Sequence, residues 1–274
     1  MHKLHLDQIT ENLCRLFAPL DFNLAVPSIL SGNTPGLLYV DDPRQPSTAL
    51  AWFKHRLFLA GAPTGDTLDQ SLSQILCGEM LIQARQDGQT AFVLQVADPA
   101  WETHLQAILP CLRPLPGLRQ FYACRQLAQP WLPLLPPGYQ VRQVDAALLE
   151  APDLYGLDAL RMEMVSERPS VEDFLQRSFG ICLLHDEAVV GFCLSEYNHT
   201  ERCEVGVWTA EPHRQRGLGK LMSLALVEQA LQRGYSEVGW HCWANNLPSA
   251  ALARSAGFVL RRDYPVYLYL LEDD

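Results

Sequence analysis

The run AEPHRQRGLGK, residues 210–220, holds the clearest chemistry in this sequence. The stretch before it, TERCEVGVWTA (200–210), reads as a strand. The stretch after it, GLGKLMSLALVEQALQRG (217–234), reads as a helix, with Leu218, Leu221, Leu224, Val227 and Leu231 on one stripe. A strand therefore delivers the chain to a glycine-containing turn at a helix start. The first N–H groups of a helix have no partner inside it, and with the helix dipole they form a ready anion site. Gly217 and Gly219 let backbone approach a pyrophosphate without a Cβ between them. Arg214, Arg216 and Lys220 can add charge-assisted contacts, and Gln215 and Leu218 complete the run. Two other phosphate motifs are excluded. The dinucleotide pattern needs a third glycine where Met222 stands, and the P-loop needs Ser or Thr where Leu221 follows the lysine.

Other reactive side chains offer less. Cys203 and Cys242 are candidate nucleophiles, but His241 beside Cys242 points to the opposite face of a strand, so no dyad follows. His213 reads as a surface residue, and Trp240 and Trp243 as core or pocket wall. None of the eight cysteines forms a CxxC pair, so neither a zinc ribbon nor a thioredoxin motif is present and no metal is expected. Their apolar surroundings suit reduced thiols, hence a cytoplasmic setting. No signal peptide and no membrane-length apolar run appear. The net charge of −10 argues against nucleic acid and anionic lipid as partners. The acid is uneven: residues 1–137 hold 9 Lys/Arg against 11 Asp/Glu, and residues 138–274 hold 12 against 20. Such a surface draws cations, amines among them.

The elements that must position this loop fall into two groups. Pro130, Pro133, Pro136 and Pro137 interrupt regular structure, so we expect an N-terminal α/β domain over 1–127, a Pro-rich linker over 128–137 and a second domain over 138–274. Upstream, strands are expected at 36–42, 48–61, 90–96 and 119–127, with helices at 66–88 and 99–110. Downstream, 138–145 reads as a strand and 153–166 and 171–179 as helices. Residues 180–198 read as a hairpin turning at Asp186-Glu187, and a further turn is expected at Asn198-His199. A strand at 236–244, a helix at 246–257 and a strand at 264–272 close the chain. The class is α/β (α+β), a mixed central sheet with flanking helices. The similar order of elements in the two halves suggests that the first is a degenerate copy of the second.

Arg214-x-x-Gly217-x-Gly219 resembles the Q/R-x-x-G-x-G/A signature of the GNAT acetyltransferases. NNLPSAALARSAGF (245–258) resembles a second segment of that family, through Asn246, Ser249, Leu252, Gly257 and Phe258. The resemblance spans about half the chain, residues 138–272. It implies acetyl-CoA, or another acyl-CoA, as co-substrate, bound between two parallel strands that splay apart, here 201–209 and 236–244. Its pantetheine arm would lie along the backbone of Val207, Trp208 and Thr209. Its pyrophosphate would sit on 214–220, with Asn246 and Ser249 nearby. An amine of a small molecule or peptide would attack the thioester directly, with no metal. Glu204 is the implied base and Glu196 the alternate. The tyrosine that often serves as acid is here Ala253, which leaves Tyr264, Tyr267 and Cys242 as candidates. The N-terminal half is expected to shape the acceptor pocket or to pair copies as a homodimer. A catalytically silent acyl-CoA sensor and a nucleotide-binding scaffold are the rival readings.

Overall fold

The computed structural model describes residues 1–271, in two compact units. The first runs from Met1 to Leu118 and resumes at Pro265; the second is Arg119–Tyr264.

In the first unit, β1 (His2–Leu4), β2 (Leu37–Val40), β3 (Thr48–Phe53), β4 (Arg56–Gly61) and β5 (Ala91–Val96) lie side by side in that order. β4 and β5 are parallel, the other neighbours antiparallel, and residues 267–270 pair antiparallel with β5. Two short helices, α1 (Glu11–Phe17) and α2 (Ala25–Leu30), pack on β3. Also packed on the sheet are α3 (Asp66–Ile75), a π-helical turn (Leu76–Met80), α4 (Leu81–Gln86) and α5 (Leu105–Ile108). Coverage of both faces explains why β3 is buried at every residue. The expected strand 48–61 is two strands, folded at Lys54 (φ +50°) and His55. Elements upstream of Leu37 were missed by periodicity because each is only three to seven residues long.

The second unit orders its strands β6-β11-β10-β9-β8-β7. These are β6 (Leu115–Cys124), which enters the unit at Arg119, β7 (Tyr139–Gln143), β8 (Gly180–His185), β9 (Ala188–His199), β10 (Arg202–Thr209) and β11 (Glu237–Trp243). Only β10 and β11 are parallel. On one face lie α6 (Ala146–Leu149), α7 (Leu157–Met164) and α8 (Val171–Arg177), packing Leu160, Met164 and Phe174 on Phe192 and Leu194. On the other lies α9 (Leu218–Gln232), with α10 (Leu247–Ser255) beside it. The hairpin turn at Asp186-Glu187 is as expected, both residues having positive φ. The next turn is at Thr200-Glu201, not at Asn198-His199, because His199 still pairs with Arg202.

The division between units falls at 118/119 rather than at 128–137. The Pro-rich segment packs on α9 instead of linking: Trp131 and Leu135 join its core, and Trp131 Nε1 donates to Glu228 at 2.8 Å. The last strand, β12 (Val259–Leu270), starts five residues before its expected position and passes from the second unit to the first at 264/265. Residue 272 of that expectation lies outside the described residues.

Candidate active site

The parallel ladder between β10 and β11 runs from Arg202↔Glu237 to Glu204↔Gly239. β10 continues to Thr209 and β11 to Trp243, so the pairing ends part-way along both strands. The opposite edge of β10 stays paired with β9 to Thr209↔Gly191. Beyond the strand, Ala210 N–H donates to the Val190 carbonyl at 2.9 Å. Antiparallel bonding alternates, so Gly206 and Trp208 share this direction and the N–H and C=O groups of Val207 and Thr209 turn toward the opening. The Thr209 carbonyl accepts from Arg214 Nε at 2.9 Å, which ties the loop back to the strand end.

Glu204 sits where the ladder ends. Cys203 faces Asn198 and Val205 faces Ser195, so the single residue Glu204 stands opposite Glu196 and Tyr197 in a β-bulge. Cys203 and Val205 turn into the core under α9, and the Glu204 side chain emerges on the other face. Its carboxylate is only 4% exposed, and Oε1 lies 3.0 Å from His241 Nε2. His241 Nδ1 lies 2.8 Å from the Tyr264 hydroxyl. Phe121 stacks on the imidazole, with centroids 4.7 Å apart. Gly239 leaves the space: a Cβ there would come within 3.0 Å of Glu204 Cγ. Carboxylate, imidazole and phenol thus form one hydrogen-bonded chain in a largely dry setting. There a fixed dipole or proton acts more strongly than in water.

The other carboxylates lie on the same face. The Glu196 carboxylate occupies the space a Cβ at Gly206 would need, and Glu163 of α7 reaches to 3.6 Å of that point. Burial, then the charge of Glu167, pushes the Glu163 carboxyl up from its ordinary range. Glu167 accepts from the buried Tyr197 hydroxyl.

At the loop, Gly217 (φ +77°) precedes α9, and Leu221 N–H is the first to donate back, to the Gly217 carbonyl at 3.1 Å. The amides of Leu218, Gly219 and Lys220 are the helix's unsatisfied first turn. No carboxylate occupies that turn. Arg214, Gln215 and Arg216 are exposed, and Leu218 sends its side chain into the core. Gly219 has a packing reason as well: a Cβ there would meet Leu252 of α10 at 3.0 Å. Arg216 donates to the Tyr139 hydroxyl at 3.3 Å, which in turn bonds His213 Nδ1 at 2.8 Å. Partial burial, with His185 and Arg216 close by, pushes the His213 imidazole down.

The second matched segment is held by local bonds. Asn246 caps α10 by accepting from Ser249 N at 3.1 Å, and Ser249 Oγ accepts from Trp240 Nε1 at 3.1 Å. Trp208 stacks on Phe192 on the face of α6–α8, so its side chain is structural. Of the candidate acids, Cys242 faces the α9 core with its thiol pushed up by burial, and Tyr267 pairs with β5 in the first unit. Cys203 is fully buried, its thiol pushed far up. His241 was passed over in the sequence. Only the register of the two strands joins it to the site: Glu204 lies opposite Gly239, and His241 is the next residue on that face.

The sequence profile of the GNAT acetyltransferase family matches residues 15–267. The chain belongs to this family. The match covers both units, where the motifs alone had marked only the second half. The GNAT chain is 24% identical over 249 residues to an uncharacterized N-acetyltransferase, YdfB, of Bacillus subtilis (strain 168), covering 88% of each. Among solved structures it resembles a GCN5-related N-acetyltransferase-like protein from Streptococcus suis 89/1591, with TM-score 0.70 and 24% identity, covering 96% of this chain and 98% of that one. A tandem GNAT protein from the clavulanic acid biosynthesis pathway superposes with TM-score 0.58 and 13% identity, covering 100% and 99%. The shared fold is a mixed α/β sheet with flanking helices, and a two-domain arrangement fits the tandem neighbour. Among the described residues no His/Cys/Asp/Glu group could hold a metal ion, and no helix is long and apolar enough to cross a membrane.

Proposed function

We propose that this GNAT protein moves an acetyl group from acetyl-CoA to a primary amine of a small molecule or peptide. The observation that carries this reading is the Glu204–His241–Tyr264 chain at the point where β10 and β11 part. The pantetheine arm lies along Val207–Thr209, bonding to backbone groups that face the opening. The pyrophosphate sits on the amides of 218–220, flanked by Arg214, Arg216 and Lys220. Asn246 and Ser249 support that end by fixing α10 and Trp240.

An alkyl ammonium, with a pKa near 10.4, is charged at neutral pH and must lose a proton before it attacks. Glu204 takes that proton, directly or through one water, while His241 holds the carboxylate in place. The neutral amine then forms the C–N bond as the C–S bond breaks. Tyr264, alone among the three candidate acids, is bonded into this chain, and we assign it the proton for the departing thiolate. Glu196 and Glu163 give the acceptor side an anionic wall that draws a cation. The eight cysteines are free thiols, which suits the cytoplasm.

The silent-sensor reading retains one support: Ala253, at the position where the family signature often has a tyrosine, is fully buried in α10 and has no proton to give. The two readings separate when acetyl-CoA is incubated with an amine library and free CoA is measured by chromatography. Turnover with at least one amine, lost in Glu204→Gln, is expected. CoA-induced stabilisation of about 2.7 kcal/mol at 100 times the dissociation constant, without turnover, would establish a sensor.

A further inference from the structure

Cys77 and Cys111, 34 residues apart, bring their sulfur atoms to 3.2 Å. Cys77 stands in the π-helical turn between α3 and α4, and Cys111 in the turn after α5. Cys77 is half-buried and Cys111 exposed, whereas Cys124, Cys182, Cys193, Cys203 and Cys242 are buried. Solvent therefore reaches this pair and not the core thiols. A disulfide bond is about 2.05 Å long, so closure asks the sulfurs to approach by roughly 1 Å. Both cysteines sit in the least regular stretches of their surroundings, a π turn and a connecting turn. Burial, then the Cys77 sulfur, push the Cys111 thiol up, which leaves Cys77 as the sulfur that meets the peroxide first.

We propose that Cys77 and Cys111 are a dithiol modification site that closes to a reversible intramolecular disulfide on meeting a peroxide. One thiol reduces hydrogen peroxide to water and becomes a sulfenic acid. The second sulfur attacks the first, the S–S bond forms and a second water leaves. The two thiols together lose two electrons and two protons. A dithiol reductant reverses the step by thiol–disulfide exchange. The bond would link the turns that follow α3 and α5, and these two helices border a cavity of about 460 Å³ lined by Asp66, Asp69, Gln70, Ser73, Gln74 and Ala107. Ser73 of α3 and Cys77 of the π-helical turn adjoin, with Oγ and Sγ 3.8 Å apart, so the link closes at the rim of that cavity.

The test uses the reduced full chain, with Cys14, exposed on α1, as an internal control. The chain is treated with a small excess of hydrogen peroxide, alkylated and mapped without reduction. A peptide pair joined at 77 and 111 is expected while Cys14 remains alkylatable, with the link forming at least tenfold faster than any Cys14 product. Dithiothreitol should restore both thiols. Cys111→Ser, a change at an exposed site, should remove the cross-link and leave Cys77 as a trapped sulfenic acid. Equal alkylation of Cys77, Cys111 and Cys14 at every peroxide dose would overturn the proposal. So would oxidation of Cys77 or Cys111 to sulfinic acid with no link formed.

Discussion

The two units run through the same order of elements but differ where the chemistry would be. In the first, β4 leads through Gly61–Gly65 into α3, and β5 returns parallel to β4. In the second, β10 leads through Ala210–Gly217 into α9, and β11 returns parallel to β10. The first turn of α3 carries Asp66 and Asp69, whereas that of α9 carries no acid and Lys220. Carboxylates stabilise a helix start and repel phosphate, so α3 has satisfied its own dipole where α9 leaves it for a ligand. The ladders differ too. β4 and β5 stay paired to Leu59↔Val96, the last residue of β5, while β10 and β11 part after Glu204↔Gly239 with several residues left in each. One helix start is closed over by its own acids, and the other is left open beside a lysine.

The sharpest way to break this contrast is at Glu204. Glu204→Gln keeps size and hydrogen bonding but cannot take a proton. We expect kcat to fall about 10²–10⁴-fold, with CoA affinity within about twofold and partial rescue at higher pH. Full kcat at neutral pH would make Glu204 a structural carboxylate and move the test to Glu196. Giving α9 the character of α3 comes next. Lys220→Asp should weaken CoA binding at least tenfold by calorimetry, about 1.4 kcal/mol, yet leave the thermal midpoint unchanged or raised. Gly219→Val is the less clean probe, since its side chain would also strike Leu252. Tyr264→Phe should cost about tenfold in kcat and nothing in CoA affinity if solvent replaces the phenol; an unchanged kcat would return the thiolate to solvent. The smallest effect is on stability. Glu163 titrates above the ordinary carboxylate range, so its stabilising, protonated state is complete at acid pH and lost as pH rises through that higher value. Glu163→Gln should therefore raise the thermal midpoint at pH 7 and leave it unchanged at pH 4.

The second unit was more legible in the sequence than the first because its elements are long and cleanly punctuated. Gly217 and Gly234 bracket α9, and alternation set Glu204 apart from its core-facing neighbours. The candidate loop and its carboxylate could be picked out for that reason. The parallel pair was expected, but His241 and Tyr264 could not be joined to Glu204 without the register that sets Glu204 opposite Gly239 and without knowing that Tyr264 lies within reach. Short α1 and α2 left no periodic trace, and a Pro-rich segment read as a linker because local rules register missing donors, not the packing of Trp131 on α9.

The passage of β6 and β12 across the unit boundary bears on how this chain is made. Residues 119–124, which follow α5, pair with β11 in the second unit, and residues 267–270, which follow α10, pair with β5 in the first. On the ribosome the chain emerges in order, so β5 waits for its neighbour until all of the second unit has been synthesised. Throughout that interval the first unit presents an unpaired, apolar strand edge, the kind of surface that recruits other chains. Its maturation is thus tied to completion of the second unit, and a nascent chain stalled before residue 265 would be a substrate for chaperones rather than a folded product.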